Sequence, residues 1–250
     1  MTGLRAAFRL AWSTLTVLQG VLICAAVFPF LTAPRRMQQV SRWSARMLHA
    51  LGVELRSSGT AHPGPVLMVA NHVSWLDILA INAVHPARFV SKSDVRRWPV
   101  LGYLVACGGT LFIERERKRD AMRVVHLVAQ ALKDGETLAV FPEGTTSDGR
   151  GLLPFHANLL QAAISTGTPV QPLTLRYRDA SHEVSPAAAF VGDTTLLQSI
   201  WAAARADRLQ VQVSLLPAQG TRQLCRRALA VGLRDAMLEA LPGVPPVPVS

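Results

Sequence analysis

Acidic residues are scarce in this sequence, and cysteines are few. The 250-residue chain carries 16 Asp and Glu against 26 Lys and Arg, a formal net charge of +10. Only Lys92, Lys118 and Lys133 among the cations are lysines. So basic a chain suits an anionic partner: a membrane surface, nucleic acid or phosphorylated substrates. The three cysteines, Cys24, Cys107 and Cys225, are far apart and form no CxxC pair. That argues against a disulfide framework and a structural zinc site, and for a reducing compartment. The histidines are scattered with no H-E-x-x-H, so no metal site is expected, and no G-x-S-x-G supports a nucleophilic serine. Internal repeats are absent. With 17% charged and 50% hydrophobic residues, the chain is greasy for a soluble protein yet far from a multi-span transporter. Its length suits one sizeable domain with an appendage.

Charge is missing altogether from Leu10 to Pro34. The heart of that stretch, LTVLQGVLICAAVFPFL at residues 15 to 31, approaches the ~20 residues a spanning helix needs. Arg5 and Arg9 precede it, and Arg35 and Arg36 follow, so the flanks give no orientation bias. No small-x-small cleavage site marks it as a signal peptide. In residues 34 to 52, Met37, Val40, Trp43, Met47, Leu48 and Leu51 recur at helical spacing with arginines on the other faces. Such a helix lies flat in a bilayer interface; the plainer reading is a surface helix packed on the domain. Together the two segments read as a membrane-associated helical hairpin, either spanning the bilayer or dipping into one leaflet.

Beyond residue 52 apolar strands alternate with helices. Strands are expected at 52–58, 65–70, 87–92, 110–115, 137–144, 169–177 and 209–216. Helices are expected at 74–84, 99–108, 118–135, 157–167 and 221–241. This alternation implies an α/β fold, a sheet covered by helices on its faces. The expected organisation is a hydrophobic and amphipathic anchor at 1–51, an α/β domain at 52–241 and a proline-rich, disordered tail at 242–250.

In such sheets, loops at the carboxyl ends of strands gather into the site. Three polar clusters fall there: Asn71-His72, Glu114-Arg115 and FPEGTTSDGR at 141–150. His72 and Asp77 suit a general-base dyad, the carboxylate fixing the imidazole tautomer. The rival reading is structural, because SWLD at 74–77 has the pattern of a capping box. In FPEGTT, Gly144 permits close backbone approach and the Thr145 and Thr146 hydroxyls can donate to an anion. Glu143 would accept from a substrate hydroxyl or pair with an arginine such as Arg115.

Taken together, these motifs resemble the lysophospholipid acyltransferase family, which includes the bacterial 1-acylglycerol-3-phosphate acyltransferases. NHVSWLD resembles its N-H-x4-D motif, GGTLFIER its second, FPEGT its third and TPVQPL, with Pro172, its fourth, in order over residues 50 to 180. The resemblance implies a glycerolphosphate acyltransferase-like mixed sheet and a reaction without an acyl-enzyme. His72 would be the general base and Asp77 its partner. Arg115, Glu143, Gly144, Thr145 and Lys92 would hold the acceptor head. No cofactor is implied; acyl-CoA or acyl carrier protein would be co-substrate, and membrane lipids and a lysolipid acceptor the partners, with no nucleic acid. The place implied is the cytoplasmic face of the inner membrane. The acceptor implied first is 1-acylglycerol-3-phosphate, giving phosphatidate. One departure points elsewhere: many phosphatidate-forming members have arginine where this chain has Thr146, and residues 141–164 resemble the lyso-ornithine lipid acyltransferase branch. A hydrolase using the same dyad, and a basic surface-binding protein without chemistry, are the competing readings.

Overall fold

The computed structural model describes residues 2–113 and 118–241. Arg115 and the proline-rich tail therefore lie outside the described residues.

A seven-stranded sheet forms the centre, in the order β1-β7-β6-β2-β5-β3-β4. The strands are β1 Glu54–Ser58, β2 Leu67–Ala70, β3 Arg88–Lys92, β4 Leu111–Ile113, β5 Leu138–Val140, β6 Val170–Arg178 and β7 Gln210–Leu215. β2, β3, β4, β5 and β6 run parallel, while β7 is antiparallel to β6 and β1 follows β7. The sheet is mixed, and its parallel part brings the carboxyl ends of five strands to one edge. Both faces are covered. Met68 and Ala70 of β2 enter the core on one face with Leu76, Phe89, Leu175 and Val211. Leu67 and Val69 enter the other with Val128, Leu138, Leu160 and Leu233. A strand buried on both faces reads as an unbroken apolar run, as VLMVA does.

The helices are α1 Thr2–Ala26, α2 Ala33–Leu51, α3 Leu76–Val84, α4 Leu101–Cys107, α5 Lys118–Lys133, α6 Leu160–Thr166, α7 Leu196–Arg205 and α8 Arg226–Ala240. Every strand and helix expected from the sequence has its counterpart, within a few residues at the ends. α7 was not expected, although a T-x-x-Q signal announces it. The Thr195 hydroxyl accepts from the Gln198 N–H at 3.3 Å, and the Gln198 side-chain Oε1 accepts from the Thr195 N–H at 2.9 Å.

The two N-terminal helices differ from the expectation in one respect. α2 buries Met47, Leu48 and Leu51 in the domain core, packing on α3. Its apolar face thus belongs to the protein interior, and Arg35, Arg36, Arg42 and Arg46 point outward. The uncovered apolar stripe is on α1, where Leu4, Phe8, Trp12, Leu15, Leu18 and Leu22 are exposed at helical spacing. α1 is also the one described helix long and apolar enough to cross a membrane. Its opposite side is fastened to the domain. Arg9 Nη1 donates to the carbonyls of Ala204 at 2.9 Å and Ala206 at 3.0 Å, at the carboxyl end of α7 where the helix dipole favours a cation. Arg5 pairs with Asp207 at 2.7 Å, and Trp43 Nε1 of α2 donates to the Thr16 carbonyl at 2.8 Å. Gly52, at the left-handed end of α2, leaves room for Arg9, whose guanidinium would lie 2.2 Å from an added Cβ.

Candidate active site

β2 ends at Ala70, and the chain then turns through Asn71, His72, Val73 and Ser74 before α3 begins. Asn71 fixes the start of this turn. Its amide donates to the Leu175 carbonyl at 2.9 Å and its side-chain oxygen accepts from the Leu175 N–H at 2.7 Å, so it is latched to β6 on both sides. Asp77, fully buried in the first turn of α3, reaches back into the same turn. Its Oδ2 accepts from the N–H groups of Val73 at 2.7 Å and Ser74 at 2.9 Å, and lies 2.8 Å from His72 Nδ1. The structural and catalytic readings of Asp77 therefore coincide on one oxygen. It does the reaching-back half of a capping box, while the Ser74 hydroxyl has no partner among the described residues. Five residues separate His72 from Asp77, and the pair meets because His72 lies before the helix.

A second restraint holds the imidazole. The His72 ring stacks on Phe141, with centroids 3.9 Å apart and planes 10° from parallel. Its carbonyl accepts from the Ser147 N–H at 2.8 Å. With Nδ1 committed to a carboxylate, Nε2 is the nitrogen available to the cavity that His72 lines.

The loop after β5 supplies the other wall. Phe141, Pro142, Glu143 and Gly144 make a turn closed by the Gly144 N–H donating to the Phe141 carbonyl at 3.1 Å, with Gly144 at φ +72°. Glu143 is only 3% exposed. Its Oε1 accepts from the His72 N–H and its Oε2 from the Leu153 N–H, both at 2.9 Å. The expectation gave Glu143 a substrate hydroxyl or an arginine such as Arg115; in the structure its two oxygens accept backbone N–H groups instead, clamping the His72 backbone to the loop that follows β5. Burial raises its carboxyl from an ordinary 4.5 to about 7, against the pull of the two N–H groups and of His72. The Thr146 hydroxyl donates to the Phe190 carbonyl, and the Phe190 N–H donates to the Val73 carbonyl at 3.0 Å. These bonds strap the segment after β6 across the site.

Gly144, Thr145 and Lys92 line the same cavity as His72, and Arg115 lies outside the described residues. The cavity, about 860 Å³, runs from His72 back between Val17 and Cys24 of α1, Trp43 and Met47 of α2, and Leu104 of α4. Among the described residues Lys92 is the one lysine or arginine lining it, and no carboxylate does. The arrangement can take a proton from a hydroxyl beside a long apolar chamber. Sequence reasoning had found Asn71-His72, Asp77 and the loop that begins at Phe141, but it gave Asn71 and Phe141 no role of their own and missed Tyr177. Tyr177, at the far end of β6, donates from its phenol to Asp77 Oδ1 at 2.7 Å. The only local sign was a polar-tipped side chain ending the apolar strand PLTLRY.

Comparison with known proteins gives the family. The profile of the acyltransferase family matches residues 52–176. A lyso-ornithine lipid O-acyltransferase of Pseudomonas aeruginosa is 39% identical over 211 residues, 84% of this chain and 81% of that protein. A 1-acyl-sn-glycerol-3-phosphate acyltransferase of Neisseria gonorrhoeae is 40% identical, over 66% of this chain and 65% of its own length. The crystal structure of the 1-acyl-sn-glycerophosphate acyltransferase of Thermotoga maritima superposes with a TM-score of 0.65 over 93% of this chain and 96% of that one; at 20% identity it shows the shared fold. On the profile and the Pseudomonas relative, the chain belongs to the acyltransferase family.

Proposed function

We propose that this enzyme moves a fatty acyl group from an acyl thioester, carried by coenzyme A or acyl carrier protein, to the free hydroxyl of a lysolipid. The observation that carries the reading is the His72–Asp77 pair opening on an apolar chamber that continues to the N-terminal helices. His72 Nε2 takes the proton of the lysolipid hydroxyl as its oxygen attacks the thioester carbonyl. Asp77 holds Nδ1–H and stabilises the imidazolium. The tetrahedral intermediate collapses with loss of the thiolate, a leaving group of pKa roughly 8.5, which takes the proton back from His72. No bond to the enzyme forms. The apolar chamber suits an acyl chain, and Thr145 and Lys92 stand where an acceptor head would lie.

Lyso-ornithine lipid is the acceptor we favour. The Pseudomonas relative, a lyso-ornithine lipid O-acyltransferase, aligns over more of the chain than the neisserial one. At position 146 the hydroxyl holds Phe190 where a guanidinium would bind phosphate. Lysophosphatidate, the acceptor expected first from the sequence, remains the second reading because the neisserial relative is 40% identical. The exposed stripe of α1 supports membrane association. The fastening of its other side to α2 and α7 favours a helix lying in one leaflet, with the site on the cytoplasmic side where thioester donors are made. Supplying the purified protein with labelled acyl-CoA or acyl carrier protein and the two lysolipids tests the reading. Labelled ornithine lipid formed faster than phosphatidate is expected. Phosphatidate formed faster would reverse the acceptor order, and no labelled lipid from either would remove the proposed substrates.

A further inference from the structure

Asp77 is a carboxylate with no exposure and no arginine or lysine bonded to it among the described residues. A charge so placed persists only if its lone pairs are occupied. Oδ2 is occupied by His72 Nδ1 and by two backbone N–H groups of its own turn. Oδ1 is held by the phenol of Tyr177, 100 residues away on β6, at 2.7 Å. Tyr177 is itself 2% exposed, and among the described residues its hydroxyl makes no other hydrogen bond. Burial beside Asp77 pushes the phenol well above its ordinary range, so it stays a donor throughout the working pH range. The phenol lies at the far side of Asp77 from the imidazole, at the carboxyl end of the strand that neighbours β2.

We propose that Tyr177 is a positioning residue for acyl transfer, acting through Asp77 Oδ1 to set how strongly the carboxylate grips the His72 Nδ1–H and which tautomer the imidazole holds. This rests on the general-base reading of His72. A donor on Oδ1 draws negative charge away from Oδ2. Remove it, and Oδ2 becomes a stronger acceptor for the imidazole proton while Oδ1 is left buried and bare. Among the described charged groups, Glu143 bonds the His72 backbone and Lys92 lines the same cavity as His72. Neither replaces the lost donor.

The test is Tyr177→Phe, which keeps the ring and removes one oxygen from a closed core. In steady state, kcat should fall about tenfold with KM for the lysolipid unchanged, the scale on which partners behind a catalytic ligand act. The acid limb of the kcat/KM profile should move to higher pH, because a less satisfied Asp77 favours the imidazolium. In the NMR spectrum, the His72 Nδ1–H resonance should move further downfield. That resonance is read without any acyl transfer, so a failure of the lysolipid reading leaves it intact. An unmoved resonance and pH profile would overturn the proposal. So would a fall in kcat matched only by a lower melting temperature, which would make Tyr177 packing alone. Tyr177→Leu, which also loses the ring, separates packing from the hydroxyl. It should lower the melting temperature more than Tyr177→Phe and shift the resonance no less; a shift seen with neither variant would refute the role.

Discussion

The turn around His72 and the outer face of α1 are built on opposite terms. At the turn almost every polar atom is answered from inside the chain. Asp77 accepts four hydrogen bonds, Glu143 two and the His72 carbonyl two, from the Ser147 N–H and hydroxyl. On α1 the apolar stripe from Leu4 to Leu22 is left largely uncovered: Leu4 is 82% exposed and Leu22 67%. An apolar stripe of that length on a soluble face marks a surface meant for something else. The first region is over-determined by the protein; the second is completed by its surroundings. A lipid-modifying enzyme needs both, a rigid base and a surface that brings the base to the lipid.

The largest way to break the contrast is Asp77→Asn. The amide keeps the shape but offers Nδ1 a donor or a weaker acceptor, and a wrong tautomer in a similar triad costs about 10⁴ in kcat. Initial rates should fall by about 10³–10⁴ with lysolipid KM unchanged; a loss below tenfold would mean Asp77 is only a helix cap. On α1, Leu15→Ser with Leu22→Ser removes apolar area from the stripe and nothing from the site. Burying a whole leucine contributes about 2 kcal/mol, and Leu15 and Leu22 are each 67% exposed, so the pair stands to lose about 3 kcal/mol and sedimentation with anionic vesicles should show partitioning reduced on the order of 100-fold while kcat on micellar substrate persists. Unchanged partitioning would move the membrane surface off α1.

Glu143 gives a pH signature of intermediate size. Its folded value, about 7, lies above its ordinary 4.5. Between these the native state binds more protons than the unfolded chain, so stability falls as pH rises from 4.5 toward 7 and levels above it. The total is on the order of 3 kcal/mol. Urea midpoints across that range should show the slope in wild type and lose it in Glu143→Gln; a rising slope would contradict the burial argument. The smallest effect belongs to Arg5→Ala. The pair with Asp207 is 39% and 57% exposed on its two sides, and such bridges contribute about 0–1 kcal/mol. Melting should shift by a few degrees at most, and a large fall would mean that α1 docking rests on Arg5 rather than on Arg9.

The same contrast explains what the sequence revealed. VLMVA, LAV and QPLTL are legible as strands because both faces are buried, and the His72–Asp77 pair is legible because its two members lie five residues apart in one turn. The dyad and the cap seemed rivals only because one-dimensional spacing cannot show that a single oxygen serves both. Tyr177 was invisible because its partner is 100 residues distant. Glu143 was assigned to substrate or to an arginine because sequence shows a charge but not its burial. α2 was read toward the membrane because amphipathic periodicity looks alike whether the apolar face meets lipid or Met68 and Leu76. Only the neighbours distinguish them.

The general-base claim is tested most directly by His72→Ala, assayed with labelled acyl donor and lyso-ornithine lipid alongside wild type of equal melting temperature. Removing the base should lower the rate of labelled lipid formation by about 10²–10⁴. Labelled lipid formed by the variant at the wild-type rate would contradict the mechanism outright.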